Sequence, residues 1–281
     1  MKNFLIIPNQ KKDKELTLTR QVAKILAAEG ASIFMEENGS TTDVEHVTLF
    51  AAGEMPQDIT CVITVGGDGT VLEASRTALR LRAPLLGINL GRVGYLAELE
   101  PTELSRLSDL VQGNYTVKER MTLQVTLLRH GKRWEMPRLP VNDVVFYRSD
   151  LDHVVSLSLQ QGEGESLSYL ADGLILATPV GSTAYSLSAG GPILAASLDA
   201  VCVTPICPHS FYNRSLIFDT AQPLCVRNTA ESDSISVTMD GRENFLLEPG
   251  DAVIVERSKR TLRMVSFVER TLLDLLHQKM K

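Results

Sequence analysis

Cys61-Val62-Ile63-Thr64-Val65-Gly66-Gly67-Asp68-Gly69-Thr70 is the stretch on which the fold turns. An apolar, β-branched run meets three glycines that bracket one carboxylate. Val and Ile in such a run suit a strand covered on both faces. The glycines let the backbone turn sharply and approach a ligand where a Cβ would collide. From Thr70 to Arg82, Leu72, Ala74, Ala78 and Leu79 recur at helical spacing. Strand, glycine turn and helix together make a seat for phosphate, because free N–H groups and the helix dipole both favour an anion. A carboxylate in such a cradle repels its ligand unless it has chemistry to perform, so Asp68 reads as catalytic. The bland alternative, a tight turn with a solvated aspartate capping the helix, has equal weight on this stretch alone.

Around this centre lies an ordinary globular composition. The chain has 281 residues, 44% hydrophobic and 22% charged, enough for two domains with ample core. A net charge of −6 speaks against nucleic-acid or membrane partners, which favour a basic surface. The four cysteines (Cys61, Cys202, Cys207, Cys225) sit mostly in apolar runs, as reduced thiols of a cytoplasmic protein do. Phe4 to Ile7 is too short for a secretory h-region, and no apolar run reaches membrane-spanning length. The expectation is a soluble, cytoplasmic protein.

Along the chain, Phe4–Pro8, Ser32–Met35, Cys61–Val65 and Pro84–Ile88 read as strands. They alternate with helices over Leu16–Glu29, Thr42–Ala52 and Thr70–Arg82, which predicts a doubly wound parallel sheet. Its ligands bind at the carboxyl ends of the strands, where Gly66–Gly69 lies. A second glycine-rich turn, Asn89-Leu90-Gly91-Arg92-Val93-Gly94-Tyr95-Leu96, reads by itself as a structural crossover, and Pro101–Leu110 as a short helix. From Thr116 onward, alternating runs such as Leu123–Leu127 and Val154–Leu159 have period two. The expected organisation is an α/β domain over residues 1–100 and a β-sandwich-like domain over 101–266. A C-terminal helix over 267–281 then packs back on the first domain.

Inside the β domain, Asp172 to Pro192 runs from an apolar strand through a Pro/Gly turn into small hydroxyl residues. Such a segment offers N–H groups, hydroxyls and one aromatic face, suited to a ribose or a base edge. A plain strand-to-helix connection competes with that reading. Cys202, Cys207 and His209 lack a fourth zinc ligand, and no G-x-S-x-G elbow supports a hydrolytic triad.

The Gly-Gly-Asp-Gly-Thr loop resembles that of NAD kinases, of diacylglycerol and sphingosine kinases and, more loosely, of phosphofructokinases. With Thr178–Ser188, Gly87-x-Asn89-x-Gly91-x-x-Gly94-Tyr95-Leu96, Asn142-Asp143-Val144-Val145, Val203–Ser210 and Asp240-Gly241, nearly the whole chain is similar to the bacterial NAD kinase family. That resemblance implies transfer of the γ-phosphoryl group of ATP to the 2′-hydroxyl of NAD, with a divalent cation, magnesium, in attendance. It implies that Asp68 accepts or orients the hydroxyl proton while Gly66, Gly67 and Gly69 hold phosphate. It further implies that Asn142, Asp143, His153, Leu170, Asp172, Thr183, Ala184, Tyr185, Ser186, Leu187, Ser188 and Arg242 line the dinucleotide site. That site would lie in the cleft between the domains of a homo-oligomer, a dimer or tetramer, with neighbouring subunits contributing. The chain departs from the family pattern at Val180 (usually Thr), at Asp143 (Glu also common), at Leu170 (often basic) and at Arg242 (often Gln). These departures bear on affinity and on the choice between NAD and NADH. Two rivals stand beside this expectation: a lipid kinase, and a dinucleotide sensor without catalysis.

Overall fold

The computed structural model describes residues 2–37, 44–91, 94–149, 154–209, 213–269 and 271–279. Residues 1–119 and 262–281 form one compact unit, and residues 120–261 form a second.

The first unit contains a seven-stranded sheet. Its strands are β1 (Asn3–Pro8), β2 (Ser32–Glu36), β3 (Val47–Phe50), β4 (Cys61–Gly66), β5 (Leu85–Asn89) and β6 (Thr116–Arg120), with the last strand of the chain, β19 (Leu262–Ser266), between β5 and β6. The β1, β2, β3, β4 and β5 pairings are parallel, as is β19 with β5. Helices cover both faces. On one, Leu18, Val22 and Leu26 of α1 (Thr17–Ala28) share a core with Phe4, Ile6, Ile63 and Ile88. Leu107 and Leu110 of α3 (Arg106–Gln112) join that core. On the other, α2 (Asp68–Leu81) lies so close that a Cβ on Gly87 would come within 2.9 Å of Val71. Every residue of β4 and β5 is buried, which accounts for their unbroken apolar runs.

Three sequence expectations change here. The helix expected over Thr42–Ala52 does not form within its described residues: Val47–Phe50 is strand β3, paired parallel with β2. Pairing with an open sheet edge outweighs a weak helical pattern over β-branched residues. Residues 41–43 lie outside the described residues. The boundary expected near residue 100 falls instead at 119/120 and 261/262, because α3 joins the core of the first sheet and β6 extends that sheet. The closing helix, α5 (Leu272–Lys279), starts later than residue 267. A capping arrangement sets its start: Thr271 and Asp274 exchange hydrogen bonds, Asp274 N to Thr271 Oγ1 at 3.2 Å and Thr271 N to Asp274 Oδ2 at 2.8 Å.

The second unit consists of two antiparallel six-stranded sheets. One has the order β11-β10-β15-β18-β7-β8, from β7 (Leu123–Arg129), β8 (Lys132–Glu135), β10 (Val155–Gln161), β11 (Ser166–Ala171), β15 (Leu224–Asn228) and β18 (Ala252–Arg257). The other has the order β14-β13-β12-β9-β16-β17, from β9 (Asp143–Arg148), β12 (Gly173–Ala177), β13 (Ala200–Ile206), β14 (Leu216–Asp219), β16 (Ile235–Met239) and β17 (Glu243–Leu247). Val125, Leu157, Val226 and Val255 of the first interleave with Phe146, Leu174, Leu176 and Val237 of the second, the shared core of a sandwich. The outer face of β12 is covered too, by Leu194 and Ala189 over Val145, Ile175 and Ala177. The segment that crosses it contains the one-turn helix α4 (Tyr185–Ser188).

Candidate active site

In the first unit, the two glycine-rich segments are built around each other. Gly67, extended at φ −113°, is the N-cap of α2, so Asp68 and Gly69 open the helix instead of preceding it. The Asp68 carboxylate is claimed by the second segment: Tyr95 N donates to Oδ2 at 2.7 Å and Leu96 N to Oδ1 at 3.0 Å. This contact is close enough to dictate Gly94. A Cβ there would sit 2.0 Å from Oδ1 and 2.6 Å from Cγ of Asp68. The stretch read as a plain crossover is therefore the holder of the central carboxylate.

Other contacts bind the same turn. Leu90 N donates to Gly66 O at 2.7 Å, and Asn9 Nδ2 donates to Thr70 Oγ1 at 3.0 Å. Gly66 is required by crowding, since a Cβ would meet Thr70 Oγ1 at 2.3 Å. Gly69 is exposed with open space around it. Asn89, fully buried at the end of β5, donates to Glu100 at 3.0 Å, and its Oδ1 has no partner.

In the second unit, three separate motifs converge. Asp240 is buried, and its Oδ1 accepts the N–H groups of Val141 (3.2 Å), Asn142 (2.8 Å) and Asp143 (3.2 Å) in succession. Arg138 lies 3.8 Å from its Oδ2. From the other side, Thr178 N donates to Asn142 O at 2.8 Å and Thr178 Oγ1 to Val141 O at 2.6 Å. Gly181 packs flat on Asn142, whose carbonyl oxygen would be 2.0 Å from a Cβ. The Asn142 backbone is thus fixed from three directions. Burial, and then the Asp240 charge, push the Asp143 carboxyl up to about 7. Burial also raises Asp240, against the opposing pull of three amides and Arg138. With three amide donors and Arg138 on its side, Asp240 is the better-stabilised anion of the pair.

The remaining candidates divide by position. Tyr185 (47% exposed), Leu187 (37%) and Ser188 present themselves to solvent, while Thr183 and Ala184 are half-buried. Ser186 is fully buried, its hydroxyl 3.0 Å from Thr204 Oγ1, so it anchors the segment from within. Arg242 follows the hairpin turn Asp240-Gly241, where both residues have positive φ (52° and 64°). Asp172 and Leu170 sit at the opposite end of β12 from Asp143: Gly173 pairs with Tyr147, and Ala177 with Asp143. Four residue steps of strand separate the two ends, roughly 13 Å. Asp172 pairs with Arg148 at 3.2 Å, and Leu170 is 44% exposed. His153 lies outside the described residues. Cys202 is fully buried in β13, and among the described residues no three His, Cys, Asp or Glu side chains group to hold a metal.

Two family models match this chain, the ATP-NAD kinase N-terminal domain over residues 4–115 and the ATP-NAD kinase C-terminal domain over residues 141–267. The chain belongs to the ATP-NAD kinase family. Among curated family members, it is 35% identical to the NAD kinase of Natranaerobius thermophilus over 285 residues, covering all of this chain and 98% of that one. It is 34% identical to the NAD kinase of Lachnoclostridium phytofermentans, with 99% of each chain covered. Two solved structures share the fold. Yeast NADH kinase complexed with NADH superposes with a TM-score of 0.84 at 22% identity, over 99% of this chain and 86% of that one. An NAD kinase from Archaeoglobus fulgidus in complex with ATP gives 0.73 at 23% identity, over 100% and 99%.

Several residues of this family member escape a reading by motif. Lys12, whose side chain reaches the Gly67 turn, sits in what reads only as a polar loop. The topology holds the missing signal: β1 neighbours β4, so the loop after β1 must emerge beside the glycine turn. Arg138 stands in no motif at all. Among the described residues no helix is long and apolar enough to cross a membrane.

Proposed function

We propose that this chain transfers the γ-phosphoryl group of ATP to the 2′-hydroxyl of the adenosine ribose of NAD, giving NADP. The observation that carries this reading is the Asp68 carboxylate, fixed by two backbone amides at the mouth of a glycine turn. Phosphoryl transfer asks the protein mainly for positioning and charge stabilisation. Each Asp68 oxygen retains a lone pair beyond the one its amide uses, so the group can take or orient the proton of the attacking hydroxyl. Gly69, exposed with open space around it, leaves room for phosphate at the start of α2, while Gly66 and Gly67 let the turn pack against Thr70 and Lys12.

Asn142 and Asp143 receive the adenosine end of the dinucleotide. An aspartic acid near pH 7 in its titration donates a hydrogen bond as readily as it accepts one, which suits a base or ribose edge. Thr183, Ala184, Tyr185, Leu187 and Ser188 line the rest, with Ser186 holding them from behind. Arg242 approaches from the Asp240-Gly241 hairpin. Leu170, on β11, and Asp172, just before β12, serve the site of a neighbouring subunit in a homo-oligomer. Magnesium binds as the triphosphate complex, since it keeps waters and substrate oxygens and asks at most one or two carboxylates of the protein. The single carboxylate of Asp68 fits that demand, and the ion supplies neutralisation of phosphate charge. The protein works in the cytoplasm.

The test is direct. Purified protein is supplied with magnesium-ATP and, separately, NAD, NADH and a diacylglycerol, and phosphorylated products are detected. NADP from NAD is expected. Phosphorylated lipid with no phosphorylated dinucleotide would replace this reading with the lipid kinase.

A further inference from the structure

We infer that Lys12 is a further catalytic residue, which binds the triphosphate of the donor and stabilises charge on the phosphoryl group in transit. This deepens the phosphotransfer reading above and rests on it. The inference starts from how the loop after β1 is fixed. Asn9 is tied to α2 through Thr70 Oγ1 at 3.0 Å, and Lys12 N donates to Asn9 O at 2.9 Å and to Asn9 Oδ1 at 3.2 Å. One residue on, the buried Asp13 carboxylate accepts Leu18 N and Thr19 N, each at 2.9 Å, together with the Thr19 hydroxyl. The backbone of Lys12 is therefore clamped between the starts of α1 and α2 and has little freedom of direction.

From that fixed point, its ammonium lies over the glycine turn. A Cβ on Gly67 would sit 2.7 Å from Lys12 Nζ, and one on Gly91 3.7 Å away. Gly67 immediately precedes Asp68, so cation and carboxylate flank the same backbone turn. Lys12 is exposed and forms no ion pair among the described residues, so no described carboxylate neutralises its charge. A lysine that merely stabilised the fold would be paired or would lay its stem on apolar surface. An ammonium is a compact point charge with three donors, suited to phosphate oxygens whose positions change during transfer. The reaction balances without further reagents: the acceptor oxygen forms a bond to phosphorus, the bond to the departing diphosphate breaks, and the acceptor proton leaves through Asp68.

The experiment compares wild type, Lys12→Met and Lys12→Arg in two assays, calorimetric binding of magnesium-ATP and steady-state phosphorylation of NAD. Lys12→Met should weaken ATP binding and lower kcat/KM for ATP by roughly 10- to 100-fold, the range for a hydrogen bond to a charged group. KM for NAD should stay within about twofold, and Lys12→Arg should recover part of the loss because the charge remains. An unchanged melting temperature is expected for so exposed a side chain. ATP binding and kcat/KM equal to wild type in Lys12→Met would overturn the assignment, as would a loss confined to NAD. If wild type binds ATP but makes no NADP, the acceptor reading fails while the weakened ATP binding still upholds Lys12. If wild type binds no ATP, both fall.

Discussion

Gly94→Ala is the most exacting perturbation that the site suggests, because it adds one methyl group and removes no chemistry. The new Cβ would lie 2.0 Å from Asp68 Oδ1 and 2.6 Å from Cγ, distances that no pair of non-bonded atoms sustains. Asp68 must then turn away, and the hydrogen bonds from Tyr95 N and Leu96 N go with it. Bonds to a charged acceptor contribute roughly 1.5–3 kcal/mol each, so losing both costs at most about 3–6 kcal/mol of stability. The loop can shift and recover part of that. The catalytic loss is sharper, since a misplacement of about 1 Å can cost about 100-fold in rate. The assay pairs kcat at saturating NAD and ATP with a melting curve and calorimetric affinity for NAD. Asp68→Asn serves as the reference variant, expected to lose about 100- to 10,000-fold in kcat with NAD affinity kept. Gly94→Ala should fall in the same direction. A folded Gly94→Ala protein with more than about a third of wild-type turnover would show that the placement of Asp68 does not govern the chemistry.

Three other expectations are simpler to check. Tyr185→Ala removes a side chain that is 47% exposed, so its melting temperature should hold while KM for NAD rises more than KM for ATP in steady-state kinetics. Gly181→Ala should lower the melting temperature and impair NAD binding together, because its Cβ would meet the Asn142 carbonyl at 2.0 Å; a silent substitution would refute the three-sided hold on Asn142. Asp143, whose carboxyl is raised from 3.8 to about 7 by burial and by Asp240, destabilises the fold when it is forced to ionise. That cost is absent below about pH 4, grows as pH rises, and levels off above about pH 7 at roughly 4 kcal/mol or less. The stability gained by Asp143→Asn over wild type, read from denaturant melts, should therefore increase from pH 4 to pH 8, and a gain independent of pH would refute the assignment.

What could be read from residues alone follows the range of the forces involved. The β4–α2 turn is local, a β-branched run with glycines and then helical spacing, and it stands where expected. Strands β10, β15 and β16 are equally plain, because half-buried strands write their faces into the sequence with period two. Val47–Phe50 reads as part of a helix because β2, the partner that makes it a strand, lies outside the local pattern. Ser186 looks in sequence like its exposed neighbours Tyr185 and Ser188, and only its contact with Thr204 shows that it faces inward. Asp240-Gly241 has the composition of a hairpin turn, yet the Asp240 carboxylate reaches back to residues 141–143, a contact that no local pattern announces. The link from Asp68 to Tyr95 and Leu96 is of the same kind.

The place of β19 has a consequence for how the chain comes to be folded during synthesis. Met264 pairs with Leu85 inside the first sheet, although all of the second unit is made between them. The β-sandwich is contiguous and can condense as soon as it has left the ribosome. The first sheet must wait for its penultimate stretch, with β5 and β6 exposing unpaired edges in the meantime. Such nonlocal closure is slow, and the open edges are where a nascent chain is vulnerable to association with its neighbours. Strand β19, far along the chain from its partner β5, thus acts as the latch that closes the sheet of the segment made earlier.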